Sequence, residues 1–400
     1  MRIAFLATSS LEDPGPQGRW FPIARELVRH GHEVYLVLLH PTFDDPRVTR
    51  YFVCDGVHIA YVAQMHVYGK PGQRRYFSPP VLSGVALRAA LALAIYARQL
   101  RPDVLHVAKP QPMNGLAALL ARRKHTKLFV DCDDYEAESN RFTGRWQRWG
   151  VRWWEDWLPK HADAVTVNTH FLFERCQALG VPAQKIFYVP NGISDWQFET
   201  PSPVKLAALR EYLGLTADKP VVAYCGAMHQ VAHSLDLLLK AFALLHRTIP
   251  QSRLLMVGAG DDLSELRDRA HQLGISAAVH WVGYVSPKEV PCYLALADCT
   301  VDPVHDTPGA RARSPLKILE SLAQGVPVVT GDVGDRREML GNGQAGVLVR
   351  PGDAVALAEG MLSVLIDSSW RAHLSNGALE CAQAYRWGRL IEESWLRIYQ

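Results

Sequence analysis

A stretch of the chain near residue 320 combines residue types suited to holding a nucleotide. Ser314 and Pro315 are typical of the residue that caps a helix and of the first helical position. The first turn of such a helix offers free backbone N–H groups and a positive dipole end, which suit a phosphate, and Lys317 adds a full charge there. Glu320 follows one turn later, where a carboxylate can accept a hydrogen bond from a sugar hydroxyl. The pattern predicts a diphosphate site beside a ribose contact, formed by Arg313, Ser314, Pro315, Leu316, Lys317 and Glu320.

Polar residues that follow predicted strands form a second candidate site. Lys109 follows one strand, and Asp133 and Asp134 follow another. Parallel sheets bind ligands at the carboxyl ends of their strands, so Lys109 is a candidate catalytic group by its position. Asp133 and Asp134 are candidates to bind an acceptor hydroxyl or to help deprotonate it. Two alternatives stay open for the aspartates. The Asp-x-Asp spacing also occurs in metal sites, which three letters support only weakly, and both side chains could simply cap a turn. His106 is expected to be a core residue.

A glycine-containing segment after the first strand is a third candidate. Gly15 and Gly18 would let the backbone approach a phosphate or a transferred sugar, with Arg19 nearby. The alternative is a loop dictated by Pro14 and Pro16. The start of a helix at Trp20 favours the functional interpretation.

A tryptophan-rich run, Arg145–Trp157, predicts an amphipathic helix. Four tryptophans share one face, at positions 146, 149, 153 and 157, and three arginines share a neighbouring face, at positions 145, 148 and 152. A basic face beside tryptophan suits an anionic membrane surface, as for a lipid-linked acceptor. The favoured interpretation is instead a helix that buries its tryptophans on the first sheet and leaves its arginines in solvent.

Composition excludes several classes of protein. The 400 residues carry a net charge of +3, which is too small to argue for a nucleic-acid partner. The seven cysteines form no Cys-x-x-Cys pair, so we expect free thiols in a reducing compartment. Met1–Ala7 is too short for a signal core. Val81–Leu100 carries two arginines and is expected to be a core helix. Gly258-Ala259-Gly260 lacks the third glycine of a nicotinamide-binding loop, because position 263 is Leu.

Alternating strand-like and helix-like segments predict an α/β fold with parallel sheets. The pattern runs from Ile3 to Val189, is interrupted by a linker at Glu199–Pro203, and restarts at Val221. We therefore expect two Rossmann-like domains facing across a cleft. The strands are predicted at Ile3–Ala7, Val34–Leu39, Val57–Val62, Val104–Val107, Leu128–Cys132, Ala164–Val167, Ile186–Val189, Val221–Cys225, Leu254–Val257, Val279–Val282, Cys299–Val301 and Pro327–Thr330.

Several motifs in this order resemble family four of the glycosyltransferases, which are retaining enzymes with the two-domain GT-B architecture. The matching segments are Gly15–Arg19, Gly31–Val34, Pro102–His106, Ala162–Val165, Val189–Gly192, Gly283–Val285, Ala297–Asp298 and Glu320–Val329. The resemblance implies transfer of a sugar from a uridine or guanosine diphosphate donor without a metal. It implies donor contacts at Gly226 and, to the base, at Tyr284 and Val285. It also implies that the closing helix, residues 386–400, returns to the first domain.

Three positions depart from the family pattern. Ala227 stands where an arginine is usual, His233 where a lysine is usual, and Ala312 where the first of two glutamates is usual. The candidate replacements for the missing cations are Arg311, Arg313, His229, His233 and Lys317.

The sequence thus predicts a retaining, metal-independent glycosyltransferase that uses a nucleotide-sugar donor and needs no cofactor. The acceptor would be a glycan, a lipid-linked sugar or a small molecule. The alternatives are a non-catalytic nucleotide-sugar-binding or scaffold protein and a nucleotide-sugar epimerase or phosphorylase on the same fold. The expected domains are residues 1–198 with 384–400, for the acceptor, and 204–383, for the donor. The expected location is the cytoplasm, with the inner face of the plasma membrane as the site of a peripheral contact through Arg145–Trp157.

Overall fold

The computed structural model describes residues 1–13, 15–69, 75–139, 142, 144–216 and 219–399. The chain divides into two compact units. Unit 1 consists of residues 1–192, 312–314 and 387–400, and unit 2 of residues 193–311 and 315–386. Each unit has its own sheet, so the fold is α/β as predicted.

Unit 1 is organised around an eight-stranded sheet in the order β10-β9-β8-β7-β1-β2-β4-β3. All neighbouring strands are parallel except β3 and β4. The central strands are almost wholly apolar because helices cover both faces of the sheet. The strands, with a separate short hairpin β5-β6, are β1 Arg2–Leu6, β2 Glu33–His40, β3 Tyr51–Cys54, β4 Val57–Gln64, β5 Val67–Tyr68, β6 Arg75–Tyr76, β7 Val104–Ala108, β8 Lys127–Cys132, β9 Ala164–Val167 and β10 Ile186–Tyr188.

Alternate residues of the central strands in unit 1 belong to two separate cores. Ala4 and Leu6 lie in one core, and Ile3 and Phe5 lie in the other. The first core is closed by α2, α3, α5 and α6, and the second by α1 and the C-terminal segment. The helices are α1 Phe21–Arg29, α2 Pro79–Leu100, α3 Pro112–Ala121, α4 Glu136–Ser139, α5 Arg145–Trp157 and α6 His170–Ala178.

Unit 2 contains a six-stranded, fully parallel sheet in the order β13-β12-β11-β14-β15-β16. Its strands are β11 Val221–Cys225, β12 Arg253–Val257, β13 Val279–Gly283, β14 Cys299–Asp302, β15 Val328–Gly331 and β16 Gly346–Val349. Its helices are α7 Pro203–Tyr212, α8 Gln230–His233, α9 Leu235–Thr248, α10 Leu263–Gln272, α11 Val290–Leu294, α12 Pro308–Arg311, α13 Leu316–Ala323, α14 Arg336–Met339, α15 Ala354–Ile366 and α16 Ser368–Gln383. The last helix, α17 Trp387–Glu393, belongs to unit 1.

Every predicted strand is present within one or two residues of its expected bounds. The sequence did not indicate β3, the hairpin β5-β6 or β16. The chain passes from unit 1 to unit 2 between Gly192 and Ile193, which is earlier in the sequence than the linker predicted at Glu199–Pro203. Gln400, the end of the predicted closing helix, lies outside the described residues.

Three local predictions are also wrong. Residues Pro16–Trp20 form a π-helical turn that runs directly into α1, where the sequence predicted an open glycine loop. Helix α13 begins at Leu316, after Pro315, and no side chain caps it, so Ser314 is not its cap. The tryptophan face of α5 is largely exposed, because the helix buries Glu155 and packs mainly through Val151, Trp154 and Trp157.

One described helix, α2, is long and apolar enough to cross a membrane by length and composition alone, and less than a third of its most apolar part is buried. Its inner face, with Ala89, Leu93 and Ala97, nevertheless packs into the core of unit 1.

Candidate functional site

Lys317, in the first turn of α13, lies among polar side chains near the carboxyl ends of strands in unit 2. Its Nζ lies 3.2 Å from Asp302 Oδ1, at the end of β14, and 3.4 Å from Tyr224 Oη, on β11. His233 Nδ1, at the end of α8, is 3.2 Å from the same Nζ. The ammonium also lies 4.7 Å from the centre of the Tyr224 ring, within cation–π range. Side chains from three other elements, β14, β11 and α8, therefore hold this lysine in one position.

Asp302 is shared between Lys317 and a second cation, Arg336. Arg336 Nε donates to Asp302 Oδ2 at 2.8 Å, and neither side chain is more than 4% exposed. Burial alone would raise the pKa of Asp302, but Arg336 and Lys317 hold that pKa well below its ordinary value. One carboxylate between two cations leaves a net positive charge at this edge of the sheet. Such a charge favours an anionic ligand.

Two glycines bring the backbone of unit 2 close to this cluster. A Cβ on Gly258 would lie 1.9 Å from the carbonyl oxygen of Gly226, so the turns after β11 and β12 are in backbone contact. A Cβ on Gly226 would lie 2.8 Å from Tyr224 Oη and 3.3 Å from Lys317 Cε. A side chain at either position would displace the backbone or the lysine cluster, which explains why glycine stands there.

Glu320 lies one turn after Lys317 on α13 and accepts a hydrogen bond from Gln197 Nε2 at 3.1 Å. Burial raises the pKa of Glu320 to about 7, against the opposing effects of Lys317 and Gln197. The helix itself is tied to β14, because Thr300 Oγ1 donates to Ser321 Oγ at 2.8 Å. The hydrogen bond from Gln197 and the attachment of α13 to β14 therefore fix the Glu320 carboxylate one helical turn from Lys317.

The remaining predicted donor contacts occupy different settings. His229 immediately precedes α8 and is half-buried, whereas Tyr284 and Val285 follow β13, with Tyr284 61% exposed and Val285 packed in a small core. Pro315 is buried beside the start of α13, and Leu316 begins that helix. The structure thus brings Gly226, His233 and Lys317 into one cluster.

Arg313 and Ser314 belong to unit 1 rather than to unit 2. Arg313 is half-buried and Ser314 is buried. Asn191 Nδ2 donates to the carbonyl oxygen of Ser314 at 2.8 Å, which fixes the backbone just before α13.

Arg19 is buried inside unit 1, in a π-helical turn, and does not lie on an open loop. Its Nε and Nη2 donate to the two oxygens of Asp131 at 2.7 and 2.8 Å, and the two side chains are 2% and 0% exposed. Trp20 Nε1 and Thr166 Oγ1 also donate to Asp131. Burial alone would raise the pKa of Asp131, but Arg19 lowers it to about 2. The guanidinium is engaged by the protein itself, and Gly18 lies in the same π-helical turn.

Lys109 lies at the carboxyl edge of the unit 1 sheet within a group of carboxylates. Its Nζ forms a short ion pair with Glu136 and lies 3.7 Å from Asp133 Oδ1. Burial opposes the lysine's charge, but Asp133 and Glu136 outweigh that effect and raise its pKa above the ordinary value. Gln111 Nε2 donates to the other oxygen of Glu136 at 3.1 Å. Lys109 is therefore a fixed positive charge, not a proton acceptor.

Asp133 differs from the other carboxylates because one of its oxygens is buried without a hydrogen-bond donor. This oxygen is Asp133 Oδ1, and the side-chain oxygen of Asn168, Oδ1, is likewise buried without a donor. The Nδ2 of Asn168 donates to the backbone carbonyl oxygen of Asp133 at 2.8 Å. Burial raises the pKa of Asp133 to about 7, and Lys109 pulls in the opposite direction. Both Oδ1 oxygens are buried acceptors that can receive hydrogen bonds from the donor groups of a ligand, such as sugar hydroxyls.

Asp134 and His106 both make contacts that stabilise the fold of unit 1. Asp134 Oδ1 accepts from Ser139 Oγ and from the N–H of Tyr135, both at 2.8 Å, which is the capping alternative that the sequence left open. His106 is fully buried between Phe5 and Trp395, with ring centres 4.6 and 5.2 Å away, and burial lowers its pKa to about 4. The histidine is a neutral core residue, as expected.

Sequence reasoning missed several members of both clusters. Tyr224 lies in an apolar strand, where nothing nearby in the sequence indicates a functional role. Arg336 and Gln197 could not be predicted as site residues because their partners, Asp302 and Glu320, are distant in the chain. Asp302 could have been found, since it is a strand-end carboxylate like Asp133. Glu136 could have been found as well, because it directly follows the Asp-x-Asp segment.

The sequence matches two domain families in order. Residues 15–192 match the glycosyl transferase 4-like domain, and residues 207–380 match glycosyl transferases group 1. The chain belongs to the group 1 glycosyltransferases. The resemblance noted from the sequence motifs is thereby confirmed.

Among curated relatives, this glycosyltransferase is 30% identical over 212 residues to a GDP-mannose-dependent alpha-(1-6)-phosphatidylinositol monomannoside mannosyltransferase of Mycolicibacterium smegmatis. The match covers 52% of this chain and 55% of that relative. An uncharacterized glycosyltransferase of Methanocaldococcus jannaschii is 27% identical over 234 residues, and the chain spans 58% of its length.

Two solved structures resemble nearly the whole glycosyltransferase chain. Sucrose-phosphate synthase from Thermosynechococcus elongatus has a TM-score of 0.79 at 21% identity and covers 100% of this chain and 98% of its own. The Anabaena protein HepE, solved in complex with UDP-glucose, has a TM-score of 0.75 at 19% identity and covers 100% of this chain and 98% of its own. At these identities the likeness establishes the fold, and the predicted GT-B architecture is confirmed.

Proposed function

We propose that this protein transfers a sugar from a nucleoside diphosphate donor to a hydroxyl group of an acceptor. The observation that carries the proposal is the Lys317–Asp302–Arg336 cluster beside the start of α13. It combines a fixed ammonium, a net positive charge and the N-terminal end of a helix, which together suit a diphosphate. A glycosyltransferase needs that charge to stabilise the diphosphate as it leaves.

The nucleoside is proposed to be held by residues of α13 and of the segment after β13, both in unit 2. Glu320 is proposed to bind the ribose hydroxyls, with Gln197 keeping the carboxylate in place at 3.1 Å. Tyr284 and Val285, after β13, are proposed to contact the base through their backbone. The relative from Mycolicibacterium smegmatis is named for GDP-mannose and the Anabaena structure contains UDP-glucose, so both guanosine and uridine donors are candidates.

The acceptor hydroxyl is proposed to bind at the strand ends of unit 1. The buried Oδ1 atoms of Asp133 and Asn168 would accept hydrogen bonds from acceptor hydroxyls, and Lys109 would favour the ionised form of Asp133. Asp134 is retained only as a residue that shapes this turn. The acceptor would be a glycan, a lipid-linked sugar or a small molecule.

The transfer is proposed to retain the configuration of the sugar and to need neither metal nor cofactor. The bond between the anomeric carbon and the donor phosphate breaks, the acceptor oxygen bonds to that carbon, and the hydroxyl proton passes to the leaving phosphate. Lys317 supplies the positive charge that a metal would otherwise provide. All seven cysteines are free thiols, which supports a reducing location such as the cytoplasm.

A donor screen tests the proposed function. Either UDP or GDP, at about one hundred times its dissociation constant, is expected to stabilise the fold by about 2.7 kcal/mol in a thermal melt, and ADP is expected to do less. A panel of UDP- and GDP-sugars should then contain a donor, with the same base as the stabilising diphosphate, whose sugar is transferred or hydrolysed. The rate of that reaction should be the same with and without EDTA. Stabilisation without turnover of any donor would favour a non-catalytic nucleotide-sugar-binding protein. No stabilisation by UDP or GDP would contradict the donor site.

The pH dependence of transfer tests the role of Asp133. Because burial raises its pKa to about 7 and the ionised form accepts the hydroxyl, kcat at saturating donor should fall about tenfold per pH unit below 7. Asp133→Asn is expected to lower kcat at every pH and to abolish this acid limb. Glu320→Gln is the matched control, because Glu320 also has a pKa of about 7 but is assigned to the donor. If Glu320→Gln removes the limb and Asp133→Asn keeps it, Asp133 has no such role.

A further inference from the structure

One side of unit 1 exposes apolar and basic residues from two separate helices. Helices α2, α3 and α5 all pack on the same core, which contains Ala89, Leu93, Ala117, Ala118 and Leu158 with its neighbours on α5. Helix α3 lies next to both α2 and α5. The outward faces of the three helices therefore form one layer, which we call the α2–α5 face.

On α5 the outward residues alternate between tryptophan and arginine. Trp146, Trp149 and Trp153 are 63%, 69% and 43% exposed. Arg145, Arg148 and Arg152 are exposed as well. Large aromatic side chains normally bury much of their surface, so three exposed tryptophans on one helix indicate a surface that is covered in use.

On α2 the outward residues form an aliphatic stripe. Leu87, Leu91 and Ile95 are 55%, 43% and 59% exposed and recur every four residues. Arg88 and Arg98 lie on the same exposed side, and Pro79–Leu100 contains no acidic residue. Both helices thus combine exposed apolar groups with arginine.

The charges around the α2–α5 face are predominantly positive. Among the described residues, Glu138 pairs with Arg148, and Asp156 pairs with Arg175 and lies 4.0 Å from Arg152. Glu155, the other acidic residue of α5, is buried and caps α4 through the N–H groups of Glu136 and Ala137. The remaining exposed charges on α2 and α5 are arginines, which complement an anionic surface.

We propose that the α2–α5 face docks on an anionic phospholipid bilayer. The tryptophans and the aliphatic stripe would enter the interface between headgroups and acyl chains, and the arginines would pair with lipid phosphates. Docking parallel to the membrane plane fits helices whose inner faces remain in the core of unit 1. The proposal does not depend on the proposed sugar transfer, since it concerns helix faces that carry none of the proposed catalytic residues.

Vesicle sedimentation of the full chain tests this surface. We expect binding to vesicles of phosphatidylcholine mixed equally with phosphatidylglycerol, little binding to phosphatidylcholine alone, and release at high salt. Arg145→Gln should weaken partition about fivefold and Trp149→Ser about tenfold. Ile95→Asn should also weaken it, because α2 contributes to the same surface.

Exposed residues of unit 2 provide matched controls. Trp370→Ser, at a tryptophan 37% exposed, and Arg247→Gln should leave vesicle binding unchanged. The proposal is overturned if anionic vesicles do not bind, or if the Trp370 and Trp149 variants lose binding equally. It is also overturned if light scattering shows a dimer that Trp149→Ser dissociates, because a second copy would then cover the face. Sugar transfer to a soluble acceptor should be unaffected by any of these variants that fold.

Discussion

Replacing Lys317 with alanine is expected to weaken the binding of UDP or GDP by about 10- to 100-fold, which corresponds to a charge-assisted hydrogen bond of about 1.5–3 kcal/mol. Lys317 is the cation at the start of α13 that lies 3.2 Å from Asp302 and within reach of Tyr224 and His233. Its removal leaves Asp302 and Arg336 to neutralise each other, so the net positive charge at the site disappears. Titration calorimetry with UDP and with GDP measures the change.

The variant should still fold, because Arg336 continues to pair with Asp302 at 2.8 Å. A thermal melt without ligand checks this. Lys205→Ala is the matched control, since Lys205 is exposed on α7 of the same unit and should not alter nucleotide affinity. Unchanged affinity in Lys317→Ala would remove this lysine from the site. An equal loss in both variants would show a general charge effect instead of a specific contact.

Asp131→Ala is expected to destabilise unit 1 by about 3–5 kcal/mol, the cost of leaving a buried charge without its partner. Asp131 accepts hydrogen bonds from Arg19, Trp20 and Thr166, and neither it nor Arg19 is more than 2% exposed. Alanine would leave the Arg19 guanidinium buried without a counter-charge. Urea unfolding followed by circular dichroism measures the loss, and Asp131→Asn provides a milder variant if the alanine protein does not fold.

An exposed ion pair of the same unit provides the comparison. Arg389 Nε lies 2.8 Å from Glu393 Oε1, and each side chain is 55% exposed. Glu393→Ala should change the free energy of unfolding by less than about 0.5 kcal/mol, because water screens such pairs. If Asp131→Ala and Glu393→Ala unfold at the same urea concentration, the Arg19–Asp131 pair does not stabilise unit 1 more than an exposed ion pair does.

Twelve of the strands and the fold class followed from local pattern alone. A buried parallel strand such as Val221–Cys225 is a short apolar run bounded by turn residues, and that signal does not depend on the rest of the chain. The start of α13 was also close to its predicted position, since proline and lysine mark a first turn in any context. The predicted cap at Ser314 is wrong because α13 begins at Leu316, which places Pro315 at the N-cap position and Ser314 one residue outside it.

The sequence by itself determined the order of the predicted strands and helices, the position of Lys317 in the first turn of α13 and the amphipathic character of α5, because each depends on neighbouring residues. Only the tertiary structure decided which side chains those elements bring together. It buried Arg19 against Asp131, placed Asp302 between Lys317 and Arg336, and left Trp146, Trp149 and Trp153 of α5 exposed. The physical reason is that burial and charge pairing depend on partners distant in sequence, and the same arginine or tryptophan is stable in a core or on a surface according to what the fold places beside it.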